Sequence, residues 1–137
     1  MICVAAFDTN VLIYCCDQNE PRRQERAFAI LADAEDGVLL WQVAVEFVAA
    51  SRKLAPQGFT PAHAWARLRE FMDVLPLVVP SPRVFEIAQP LHQDKGVSFW
   101  DAMVLAASLD CGVDTLYSED LPAVDLGAAM KIVNPFV

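Results

Sequence analysis

The chain has 137 residues, 55% of them hydrophobic and 20% charged, with a net charge of −8 and a mean hydropathy of +0.34. That length fits a single domain over 1–137 whose core needs no disulfide or metal staple, and the absence of any apolar run of about eighteen residues argues against a membrane span, so the apolar excess points to a partner-facing surface. The acidic balance argues against nucleic acid unless the ten Lys and Arg are focused in patches.

The start of the chain carries no basic segment and meets an acid at Asp8, so it does not read as a signal peptide. A cytoplasmic setting follows, in which Cys3, Cys15, Cys16 and Cys111 are reduced core thiols, none with zinc-type spacing. Cys3 to Phe7 is a short apolar run that reads as a buried parallel strand ending at Asp8. A short helix is predicted from Thr9 to about Cys15. Pro21 suits the first turn of the next helix, which the spacing of Ala27, Ile30, Leu31 and Ala34 extends to Glu35. Gly37 is expected to stop that helix, and Val38–Trp41 reads as a second strand. Val43 to Leu54 is a largely apolar helix closed by Pro56 and Gly58.

Thr60-Pro61 starts another helix, with Trp65, Leu68, Phe71 and Met72 on one face. Leu77–Val79 is a third strand, and Ser81-Pro82 a further helix start. Pro90 should kink or end that helix. Ser98 to Asp110 is a helix stopped by Gly112. Thr115–Tyr117 and Lys131–Val133 complete the strands. Short strands alternating with helices predict a parallel sheet covered on both faces. Ligands in such folds bind beyond the carboxyl ends of the strands, where Asp8 and Asp120 fall.

Four acids stand out. Asp8 can be a helix N-cap. Glu46 sits among apolar neighbours, with Ala49 and Ala50 one turn away leaving room for a large ligand; an ionised carboxylate buried there needs a partner. Asp101 starts an apolar helix, and Ser98-x-x-Asp101 has capping-box spacing. Asp120 follows a strand, with Glu119 competing beside it. Packed together, carboxylates repel, by roughly 4 kcal/mol for a pair at about 4 Å, so such a cluster calls for bound cations or shared protons. Oxygen ligands favour Mg2+ or Mn2+, and the expected chemistry is metal-assisted phosphodiester hydrolysis. Thr9, Asn10 and Ser118 would aim the carboxylates by hydrogen bonds. His63 and His92 read as surface residues.

Phe7-Asp8-Thr9-Asn10-Val11-Leu12-Ile13, the helical Glu46, Ser98-Phe99-Trp100-Asp101-Ala102 and Leu116-Tyr117-Ser118-Glu119-Asp120-Leu121 together resemble, in order, the motifs of PIN-domain ribonucleases. Lys131-Ile132-Val133-Asn134-Pro135-Phe136 is similar to the end of the VapC toxin branch. The resemblance implies a three-layer α/β/α fold with a central, mostly parallel sheet. It also implies an Mg2+- or Mn2+-dependent endoribonuclease, a homodimer, and restraint by a VapB-like antitoxin. It assigns metal binding to Asp8, Glu46, Asp101 and, through the Ser-x-Asp pattern, Asp120.

RNA would need positive patches, for which Arg22, Arg23 and Arg26 on one helix, and Arg52 and Lys53 beyond Glu46, are the candidates. An antitoxin could instead place its own Arg in the acidic pocket. Two other readings compete: an inactive PIN-like binding module, and a phosphotransfer enzyme using Asp8 as nucleophile. Against the latter, Asp8-Thr9-Asn10 lacks the second acid of an Asp-x-Asp motif.

Overall fold

The computed structural model describes residues 4–137. Strand β1 (Val4–Phe7) is followed by α1 (Thr9–Cys16), α2 (Pro21–Asp33), β2 (Asp36–Leu40), α3 (Trp41–Ala50) and a 3₁₀ segment (Ser51–Gln57). Then come α4 (Pro61–Val74), β3 (Leu77–Val78), α5 (Arg83–Gln93), α6 (Phe99–Asp110), β4 (Thr115–Tyr117) and β5 (Lys131–Val133). Cys3, the expected first residue of the first strand, lies outside the described residues. The five strands form one parallel sheet in the order β3-β2-β1-β4-β5, flanked by helices in the expected three-layer α/β/α arrangement. Helix α1 packs on both α2 and α3, α3 on α4, and α5 on α6.

The apolar runs become strands because both faces of the sheet are covered. Ala5, Ala6 and Phe7 of β1 are buried in the sheet centre, as are Leu39, Leu40 and Leu116 on its neighbours. The chain builds outward from β1 on one side through β2 and β3, then returns to the other side of β1 with β4 and β5. The order therefore reverses between β1 and β4, which opens a crevice at their carboxyl ends. Phe7 pairs with Tyr117 in register, and Asp8 N–H donates to the Tyr117 carbonyl at 2.8 Å. Both strands thus end level, delivering Asp8 and Ser118 side by side.

Several boundaries differ from the expectation, each for a local reason. Helix α2 stops at Asp33, and Gly37 lies inside β2 rather than at the helix end. A Cβ on Gly37 would stand 2.7 Å from Leu75 Cδ2, so glycine there allows close packing. Trp41, expected to end the second strand, is the first residue of α3, which follows Leu40 with no linker. The α-helical part of the Glu46 helix ends at Ala50. The chain then tightens to 3₁₀ through Pro56 and closes on Gly58 at φ 81°. Pro90 does not end α5 where it stands: its carbonyl accepts from Asp94 N–H and Lys95 N–H, and the helix finishes less than one turn later, at Gln93.

Helix α4 begins with a reciprocal cap in which Thr60 Oγ1 accepts from His63 N–H and His63 Nδ1 accepts from Thr60 N–H. His63 and His92 are both exposed, as expected. Cys15 and Cys16 are buried free thiols, pushed by burial up to about 12 and about 11 respectively. They are core residues, unreactive at neutral pH.

Candidate active site

The crevice at the end of β1 is built from four elements, each contributing one of the acids singled out in the sequence. Asp8 caps α1 and is only 9% exposed. Its Oδ1 accepts from Thr9 N–H and its Oδ2 from the Ser118 hydroxyl, each at 2.8 Å. Burial raises the Asp8 pKa above the usual carboxylate value; the two hydrogen bonds oppose this, and the negative charges of Glu46 and Asp101 add to it. Those two acids are therefore electrostatic neighbours of Asp8, although α3 and α6 are distant in sequence.

Glu46 is half-buried, not a free surface carboxylate. Thr9 Oγ1 donates to its Oε2 at 3.0 Å and Gln42 Nε2 donates to its Oε1 at 3.1 Å. Gln42 also donates to the Trp100 carbonyl at 3.2 Å. It thereby ties Glu46 to the start of α6, the helix that carries Asp101. Gln42 was not singled out in the sequence. Its only signal there is a polar side chain one turn before Glu46, on the same helix face.

At Asp101 the two sequence readings separate. Ser98 Oγ accepts from Asp101 N–H at 3.3 Å, so the hydroxyl caps the helix. Among the described residues, no donor binds the Asp101 carboxylate, which is left available for a ligand. Asp120 is exposed, and its Oδ2 accepts from Asn10 Nδ2 at 3.2 Å. Ser118 Oγ accepts from the N–H groups of Asp120 and Leu121, both at 3.2 Å, while donating to Asp8. One hydroxyl thus fixes the Asp120 turn to Asp8.

Glu119 points the other way. Its Oε1 accepts from Arg23 NH2 at 3.2 Å, and it faces Tyr14, whose hydroxyl is pushed up to about 12 by burial and then by Glu119. Of the candidate RNA contacts, Arg23 is held by Glu119 and Glu20, and Arg26 Nε donates to the Pro135 carbonyl at 2.9 Å. Arg22 and Lys53 are exposed. Arg52 alone borders the acids: with Thr9, Glu46, Ala49 and Ala50 it lines an open groove of about 720 Å³.

Every donor in this set is oxygen, which suits Mg2+ or Mn2+. Among the described residues, no three acids are drawn together as a ready-made metal cage. The carboxylates of Asp8, Glu46 and Asp120 are instead held by protein hydrogen bonds, each oxygen retaining a further lone pair.

The PIN domain family matches residues 5–121. No match is found among curated proteins. Among solved structures, a toxin-antitoxin complex from Klebsiella pneumoniae is similar with a TM-score of 0.67 and 20% identity, over 96% of this chain and 97% of that one. The crystal structure of VapBC2 from Rickettsia felis, bound to a DNA fragment from their promoter, is similar with a TM-score of 0.67 and 12% identity, over 96% and 98%. At these identities the likeness is one of fold.

Proposed function

The chain belongs to the PIN domain family, and from that premise we propose that it is a metal-dependent endoribonuclease, the toxin of a VapBC-type pair acting in the cytoplasm. The observation that carries this reading is Asp8: a carboxylate at the switch point of a parallel sheet, made harder to ionise first by its burial and then by the charges of Glu46 and Asp101. A bound divalent cation removes that penalty, and the oxygen-only donor set fits Mg2+ or Mn2+. Asp8, Glu46, Asp101 and Asp120 would hold it. When bound, such an ion supplies an acidified water and charge stabilisation for phosphodiester hydrolysis.

The rest falls to the chain's own residues. Ser118 and Thr9 hold Asp8, and Thr9 with Gln42 fixes both oxygens of Glu46. Asn10 holds Asp120. Arg52, beside Glu46 in the open groove, offers positive charge to an RNA phosphate next to an otherwise acidic site. The two similar structures contain a toxin with its antitoxin and VapBC2, which supports a VapB-like partner here. The test is cleavage of total RNA in Mg2+ or Mn2+ by the wild type, Asp8→Asn and Asp101→Asn, with folding followed by circular dichroism. Cleavage is expected to vanish in both variants while the fold persists. Full activity in either one overturns the site.

A further inference from the structure

We propose that the Arg23–Glu119 ion pair is a positioning device that anchors the turn after β4, so that Asp120 is presented to Asn10 and the Asp8 side of the crevice. Successive residues of this turn point in opposite directions. Ser118 reaches Asp8, Glu119 reaches Arg23, and Asp120 reaches Asn10. On the inner side the turn is fastened by Ser118 Oγ and by Asn10, whose Oδ1 accepts from Glu119 N–H at 3.4 Å. On the outer side its side-chain anchor is Arg23, from the first turn of α2.

Arg23 is itself fixed. Its guanidinium lies 5.5 Å from the Tyr14 ring centroid and bonds Glu20 at 3.4 Å. The pairing with Glu119 is single-pronged, and among the described residues nothing hydrogen-bonds the buried Arg23 Nε and Glu119 Oε2. A pair shaped for stability alone would use both prongs. The pair also turns Glu119 away from Asp8 and neutralises it, so a further negative charge is kept off the crevice. On this proposal Arg23 acts through Asp120 and not by touching RNA.

The proposal rests on the metal-site reading above, so the test has a readout independent of metal. Amide hydrogen exchange at Glu119, Asp120 and Leu121 is measured by NMR in the wild type, Arg23→Ala, Arg23→Lys and Arg23→Ala/Glu119→Ala. Mn2+ affinity is measured by calorimetry, and the KM for RNA at saturating Mn2+. In Arg23→Ala those three amides are expected to exchange about tenfold faster, with the β1 and β4 amides unchanged, and Mn2+ affinity to fall about tenfold with KM unaltered. Arg23→Lys should fall between, and the double variant should lose no more than Arg23→Ala, because each residue acts through the other. Unchanged exchange at the turn overturns the proposal. So does a raised KM with Mn2+ affinity intact, which would make Arg23 an RNA contact. A wild type that binds no Mn2+ overturns the metal reading instead, and the exchange data then decide the anchoring by themselves.

Discussion

Asp8 carries opposing demands in one side chain. Folding raises its pKa above the usual carboxylate value, chiefly through burial, so the fold favours the protonated form. The contribution to stability is fully present below the unfolded pKa and is lost as pH rises through the folded pKa. Asp8→Asn cannot ionise. Its melting temperature relative to the wild type should therefore climb as pH rises above the usual carboxylate range in metal-free buffer. Added Mg2+ should then raise the melting temperature of the wild type and leave the variant unmoved. A difference between the two proteins that stays flat over that rise in pH would show that burial and its acidic neighbours do not penalise the charge. Asp8, Asp101 and Asp120 were legible in the sequence as acids at strand and helix ends and Glu46 as an acid within an apolar helix, but their local roles were not. Ser98-x-x-Asp101 spacing does not tell whether hydroxyl or carboxylate does the capping. Glu119 and Asp120 are separated only by Arg23, a residue from another helix.

The same division holds for elements. The five strands were readable because buried parallel strands are short, continuous apolar runs, and their order of appearance was enough to place Asp8 at a strand end. The boundaries followed from contacts that no local pattern encodes. Gly37 looks like a helix stop, yet its place in β2 is required by Leu75, a buried residue at the end of α4. Gly37 does not have a positive φ, so the constraint is steric. Gly37→Ala should destabilise the protein by about 1–3 kcal/mol through overpacking between β2 and α4, measured by urea denaturation. A neutral substitution would mean that Leu75 moves aside without loss, and that the strand assignment of Gly37 has no packing reason. The 3₁₀ segment after α3 likewise needed more than periodicity. Ser51 Oγ donates to the Val48 carbonyl at 2.8 Å just where the α-helix ends, and Pro56 lies within the tighter winding.

For the whole molecule, part of the apolar excess seen in the composition is exposed around the edge strand β3. Trp41, Trp65, Phe85 and Trp100 are 47%, 54%, 64% and 64% exposed. Two grooves, of about 440 and 240 Å³, share Trp41 and run on either side of the edge strand β3. Among the described residues, none lining the larger is charged, and the smaller has only Asp110. Copies each carrying −8 repel at long range, so an uncharged apolar face, where burial offsets that repulsion, favours their association. This face meets that condition, and we propose it as the contact of a homodimer. The sign of the salt effect separates this occupant from a basic partner. Screening weakens repulsion between like-charged copies, so added salt should tighten the dimer, whereas it would loosen a complex held by opposite charges. Sedimentation equilibrium should find a dimer that persists or strengthens with salt, and Trp41→Glu or Trp65→Glu should make it monomeric with the fold intact. A wild type that stays monomeric at all concentrations and salt levels would leave the apolar face to a different protein, and the acid crevice to act in a single chain.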